Sequence, residues 1–84
     1  MKEKTVRMLL DELLAQFNID MVKDTVCIQF YQGMKVERMI VGRFYLESTI
    51  GEYLFNKMVR KFDIEISPSD DHYIVDINIV LKTA

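Results

Sequence analysis

The chain has 84 residues, half of them hydrophobic and 29% charged, which are the proportions of one small globular domain. Three glycines and one proline exclude a disordered or collagen-like chain. The formal net charge of −2 excludes the broad positive field of a general nucleic-acid binder. We therefore expect residues 1–84 to form a single domain.

The cysteine content and the apolar runs predict a cytoplasmic protein. Cys27 is the one cysteine in the sequence, whereas secreted domains of this size usually depend on disulfides. Arg7, Asp11 and Glu12 interrupt the apolar residues near the start of the sequence, so we expect no signal peptide. No run approaches the roughly 18 apolar residues of a membrane helix. We expect no membrane contact.

The first periodic segment predicts an amphipathic helix from Thr5 to Phe17. Its apolar residues recur at helical spacing and share one face. They are Val6, Leu9, Leu10, Leu13, Leu14 and Phe17. Asn18 follows as a residue that tolerates the left-handed backbone of a helix end.

Alternation predicts a β-hairpin next, with strands over Thr25–Gln32 and from Lys35 to about Tyr45. Residues that lie directly opposite in an antiparallel pair share a face. A three-residue loop places Phe30 opposite Val36, and a two-residue turn places it opposite Glu37. The longer loop is preferred because it pairs two apolar residues.

A second helix is predicted to begin at Ser48 or Thr49 and to run through Phe62, with a wide apolar face. That face comprises Ile50, Leu54, Phe55, Met58, Val59 and Phe62. A short strand around Ile64 and Ile66 and a turn over residues 67–71 follow. The last strand, Tyr73 to Lys82, alternates most regularly. It directs Tyr73, Val75, Ile77, Ile79 and Leu81 inward.

The predicted fold is therefore α+β in the order α-β-β-α-β-β. Each strand has one strongly apolar side and each helix offers one apolar stripe. The simplest packing is a four-stranded, mainly antiparallel sheet with two helices on one face. The strand order and the register of the first hairpin stay open.

The side of the sheet that faces away from the helices is predicted to be an interaction surface. It carries more apolar residues than a solvent-facing surface needs, and exposed apolar patches mark binding sites. The predicted partner-binding residues are Cys27, Tyr31, Met39, Val41, Tyr45 and Ile74. The alternative is that loops or the second helix cover this side. We expect a regulatory, inhibitory or scaffolding module that binds another protein or forms a homodimer.

An alternative function is nucleic-acid binding by an accessory module. The basic residues Lys57, Arg60 and Lys61 share the polar side of the predicted second helix, and Arg43 belongs to the second strand. Such residues could hold phosphates. A solvated helix surface explains the first three equally well, so this function is the second choice.

Few residues suggest catalysis or a cofactor. Asp70, Asp71, His72 and Asp76 are the best candidates for a metal site, but their spacing fits no zinc or calcium loop. We interpret them as turn and surface residues. Cys27 and His72 are far apart in sequence, and no glycine-rich phosphate loop is present. We expect no metal, no cofactor and no enzymatic activity.

Overall fold

The computed structural model describes residues 3–20, 23–42 and 51–82. The elements within these ranges are α1 (Val6–Gln16), β1 (Thr25–Gln32), β2 (Lys35–Gly42), α2 (Gly51–Phe55), β3 (Val59–Ser69) and β4 (His72–Leu81). The strands form one sheet in the order β2-β1-β4-β3. The two outer pairs are antiparallel, and the central pair, β1 with β4, is parallel. The predicted α+β class, element order and mainly antiparallel sheet are confirmed.

Helix α1 begins and ends close to the predicted positions. Thr5 Oγ1 accepts a hydrogen bond from the Met8 backbone N–H at 3.3 Å, which satisfies one free donor of the first turn. Asn18 has a φ of 54°, so the helix ends on a left-handed residue as predicted. Phe17, predicted to be on the buried stripe, is 41% exposed because it lies at the helix C-cap.

The core lies between the helices and one face of the sheet. Both helices and the two central strands contribute its buried apolar side chains. These are Val6, Leu9, Leu10 and Leu13 of α1, Val26, Ile28 and Phe30 of β1, Leu54 and Phe55 of α2, and Val75, Ile77, Ile79 and Leu81 of β4. Because β1 and β4 are the central strands, their inward residues are the most completely buried.

The turn of the first hairpin has two residues, Gly33 and Met34, so the predicted three-residue loop is wrong. Gln32 pairs directly with Lys35. Gly33 has a φ of 65°, the left-handed backbone that a two-residue type II′ turn needs at its first central position. Glycine adopts it without steric cost, which permits the tighter turn.

A β-bulge in β2 then shifts the register of the hairpin by one residue, so that the residues of β2 beyond the bulge lie on the predicted sides of the sheet. Tyr31 pairs with Val36, but Phe30 pairs with Arg38, so Glu37 is the extra residue. The predicted pairing of Phe30 with Val36 is therefore wrong. Val36 lies on the same side of the sheet as Tyr31, away from the core, and is 45% exposed.

Helix α2 ends at Phe55, well before the predicted end at Phe62. Val59 already belongs to β3 and pairs with Leu81 of β4. The predicted helix start at Ser48 or Thr49 lies outside the described residues. The predicted wide helical face is therefore wrong beyond Phe55.

Backbone hydrogen bonds to distant segments explain why the chain is extended from Met58 onward. The Val59 N–H donates to the Lys4 carbonyl at 2.9 Å, and the Lys82 N–H donates to the Met58 carbonyl at 2.9 Å. Thr5 also forms an isolated antiparallel bridge with Met58. Local spacing favoured a helix here, and pairing with two other parts of the chain overrides it.

Strand β3 is much longer than predicted and runs to Ser69. Pro68 lies within it, opposite Tyr73. A proline is tolerated there because β3 is an edge strand, where a missing N–H removes no ladder bond. The turn to β4 is therefore confined to Asp70 and Asp71. Tyr73, predicted to be inward, is half exposed at this end of the sheet.

Candidate functional site: the outer face of the sheet

The outer face is the side of the sheet that faces away from the helices. Its members follow from the cross-strand register, in which opposite residues share a side. They are Thr25, Cys27, Gln29 and Tyr31 of β1, Val36, Met39 and Val41 of β2, Lys61, Asp63, Glu65 and Ser67 of β3, and Ile74, Asp76, Asn78 and Val80 of β4. Of Val41 only the backbone register is described.

Apolar side chains are concentrated on three of the four strands of the outer face. Met39 is 58% exposed, and Val36 and Ile74 are 45% and 40% exposed. Cys27 and Val80 are half-buried between them. Val36 and Met39 are near each other on β2, and Ile74 lies toward the opposite end of the sheet. Exposed aliphatic and thioether groups are an unfavourable surface in water unless another surface covers them.

A polar row crosses the middle of the outer face from β3 to β1. Asn78 Nδ2 donates to Asp63 Oδ1 at 2.9 Å, and the Tyr31 hydroxyl donates to Gln29 Oε1 at 3.0 Å. The same hydroxyl lies 3.4 Å from Asn78 Oδ1. These contacts hold the Tyr31 ring across the sheet, so it presents an ordered aromatic surface rather than a free side chain.

Carboxylates accumulate at the β3 and β4 side of the outer face. Glu65 pairs with Asp76, and Asp63 lies two residues away on the same side of β3. Asp76 also lies opposite Cys27. Burial, then the negative charge of Asp76 and a hydrogen bond with it, raises the pKa of the Cys27 thiol. The thiol is therefore held in its neutral form, which makes it a poor nucleophile.

The structure brings five of the six predicted partner-binding residues onto the outer face, Val41 among them by its backbone register alone. Cys27, Tyr31, Met39 and Ile74 lie there, with Ile74 and Tyr31 near opposite ends of their strands. The Val41 backbone pairs with Cys27, and Tyr45 lies outside the described residues. Sequence reasoning missed Val36, whose side is decided by the bulge at Glu37, and no local signal marks that bulge.

The predicted basic helix surface is wrong. Arg60 and Lys61 belong to β3, and Lys57 lies in the connection before it, with Nζ 4.6 Å from the centre of the Tyr53 ring. Arg43 lies outside the described residues. The nucleic-acid hypothesis therefore loses the continuous helical surface on which it depended.

The acidic residues near the last turn do not converge with His72 to form a metal site. His72 Nδ1 lies 3.2 Å from Asp71 Oδ1, and this contact lowers the pKa of the Asp71 carboxyl. Asp76 belongs to the outer face instead. In the described ranges, no group of three or more His, Cys, Asp or Glu side chains is close enough to hold a metal ion.

Comparison with protein-family models, with curated proteins and with solved structures found no match. Among the helices that the structure describes, none is long and apolar enough to cross a membrane. Functional inference for this chain therefore depends on the chemistry of its surfaces.

Proposed function

We propose that this protein is a non-enzymatic interaction module that binds a segment of another protein on the outer face of its sheet. The exposed apolar side chains of Val36, Met39 and Ile74, on the side opposite the helices, are the main support for this proposal. Covering them removes apolar surface from water, which is the dominant favourable term in most protein associations. Tyrosine and methionine are also enriched in interface cores, and both types are present here.

The charge of the outer face favours a partner segment that combines apolar residues with lysine or arginine. Glu65 and Asp76 face each other, and Asp63 lies beside them. A basic flank on the partner would approach these carboxylates while its apolar residues cover Met39 and Val36. Complementary charge of this kind speeds association and selects the partner.

A second copy of this chain fits the outer face less well. If two outer faces stacked with their β3 strands parallel and in register, Asp63 and Glu65 of each copy would face the same residues of the other, and an antiparallel arrangement centred on Asp63 would still bring the two Asp63 carboxylates together. If they stacked with β3 over β2, the same carboxylates would be buried against Val36 and Met39. Like charges in contact and buried unpaired charges are both costly. Another protein is therefore the preferred occupant.

Two short synthetic peptides, in which leucine alternates with lysine or with glutamate, test this proposal by NMR titration of the labelled protein. The lysine peptide should shift the amide signals of Met39, Val36 and Ile74, and its affinity should fall as salt is added. Met39→Lys should lower the affinity for the lysine peptide about tenfold, which corresponds to about 1.4 kcal/mol. Met8→Lys is the matched control, because Met8 is a similarly exposed methionine on α1.

The outcomes separate the possible occupants. Binding of neither peptide, or equal loss in both variants, contradicts the proposal. Sedimentation of the free protein at micromolar concentration should show a monomer. A dimer that Met39→Lys dissociates would replace the partner by a second copy.

A further inference from the structure

An open depression lies at the end of the outer face where the first hairpin turns. It has a volume of about 480 Å³, and its apolar lining comes from Tyr31, Met34 and Val80. Arg60 and Lys61 of β3 line the opposite side. An aromatic and aliphatic floor beside two cations is the composition expected of a site for an anionic group attached to an apolar one.

A second β-bulge explains how two successive residues of one strand line the same depression. In a regular strand, neighbours point to opposite sides of the sheet. Val59 pairs with Leu81 and Lys61 pairs with Val80, so Arg60 is an extra residue in β3. Bulges re-aim side chains in this way and recur beside functional sites.

The other described residues do not neutralise the two cations. Within the part that the structure describes, neither Arg60 nor Lys61 has an ion-pair partner. Of the described residues that line the depression, Asp63 alone is a carboxylate, and it accepts a hydrogen bond from Asn78. Two cations and one carboxylate leave a single net positive charge, which matches a carboxylate more closely than a dianionic phosphate.

We propose that this depression is a carboxylate subsite that fixes the direction in which the partner segment lies on the outer face. This inference rests on the function proposed above. Arg60 and Lys61 would hold an acidic side chain or the terminal carboxylate of the partner, with an adjacent apolar residue against Tyr31 and Val80. Glu65 and Asp76, further along the same strands, would hold its basic residues. A segment with reversed charge order would then meet repulsion at both places.

Four versions of the leucine–lysine peptide test the subsite by calorimetry. Two have blocked ends and carry a glutamate at the C-terminal or at the N-terminal position. The third has a free C-terminal carboxylate and no glutamate, and the fourth, the neutral-ended peptide, has blocked ends and no glutamate. The peptide with glutamate at one of its two ends should bind about fivefold or more tightly than the neutral-ended peptide. Arg60→Gln and Lys61→Gln should each remove most of this gain, while Lys23→Ala, which removes an exposed lysine outside the outer face, should retain it. If only glutamate increases the affinity, the subsite binds a side-chain carboxylate of the partner. If the free terminus increases it, the subsite binds the C-terminal carboxylate.

The failures are distinguishable. If all four peptides bind equally and only Met39→Lys weakens them, the subsite is absent and the outer-face proposal stands. If none binds, both proposals fail. If a single-stranded oligonucleotide binds more tightly than any peptide and needs Arg60 and Lys61, the cations recognise phosphate and the carboxylate subsite is wrong.

Discussion

Asp24 and Tyr73 are joined by a hydrogen bond in which the Tyr73 backbone N–H donates to Asp24 Oδ1 at 2.9 Å. The other oxygen, Oδ2, accepts from the Asp20 N–H at 3.0 Å, and Asp24 is buried. One carboxylate therefore ties the loop before β1 to the beginning of β4. Each antiparallel pair of the sheet has a turn that fixes its register, and the parallel pair β1–β4 has none. The bond between Asp24 and Tyr73 supplies that constraint at its first residues.

Asp24→Asn should reduce the free energy of unfolding by about 1.5–3 kcal/mol, the usual range for hydrogen bonds to a charged group. The amide keeps one acceptor but directs N–H groups toward a backbone donor. Urea unfolding followed by circular dichroism measures the change. Asp11→Asn, on the exposed side of α1, should change stability little. A loss of the same size in both variants would contradict the role given to Asp24.

The same carboxylate predicts a pH dependence of stability. Hydrogen bonds from the Tyr73 and Asp20 N–H groups lower the pKa of Asp24 in the folded protein, although burial opposes this. Its stabilising contribution is therefore complete above the unfolded value of about 3.9 and is lost as the pH falls through the lower folded value. The unfolding free energy of the wild type should fall more steeply in this acid range than that of Asp24→Asn. Parallel curves for the two proteins would refute the assignment.

Cys27 should react slowly with iodoacetamide at neutral pH. Burial and the neighbouring Asp76 raise the pKa of the thiol, and the thiolate is the reacting form. Asp76→Asn should increase the rate at a given pH and move the rate profile toward lower pH. Asp63→Asn removes the same charge from the outer face without a contact to Cys27 and should have a smaller effect. Wild-type alkylation as fast as that of free cysteine would contradict the prediction.

Gly33→Ala should destabilise the protein by about 1–2 kcal/mol, because alanine disfavours left-handed backbone. An added Cβ at Gly33 meets nothing within 4 Å, so the cost comes from the backbone alone. Asn tolerates this conformation better, and Gly33→Asn should retain much of the stability. For a domain of this size, 1 kcal/mol corresponds to roughly 4–8 °C in Tm. Equal Tm values for the two variants would argue against a strained turn.

The sequence predicts the elements that local pattern determines. Helix α1 has an apolar stripe in its own residues and a cap and a terminating asparagine within two residues of its ends, and β1 alternates from Thr25 to Gln32 as predicted. Val59 and Phe62 show the opposite case. Their spacing from Leu54 and Phe55 suits a helix, but pairing with β4 and with Lys4 makes the chain extended. Such long-range bonds leave no local trace.

The outer face was predictable where it depends on local alternation. Alternation placed Cys27, Tyr31 and Met39 on one side of the sheet, because the two-residue period survives errors of register by an even number of residues. The two bulges are what sequence reasoning could not supply. One moves Val36 out of the core, and the other brings Arg60 and Lys61 together.

The parallel pairing of β1 with β4 has a consequence for how the chain acquires its structure. Residues that pair directly, such as Ile28 with Ile77, are separated by most of the domain. Such distant pairing makes folding slow, since the chain loses the entropy of a long loop before the stabilising contacts between β1 and β4 form. During synthesis on the ribosome, α1 and the first hairpin would emerge before β4, and one backbone edge of β1 would stay unpaired until β4 follows. An unpaired strand edge promotes aggregation, so the nascent chain needs protection during that interval.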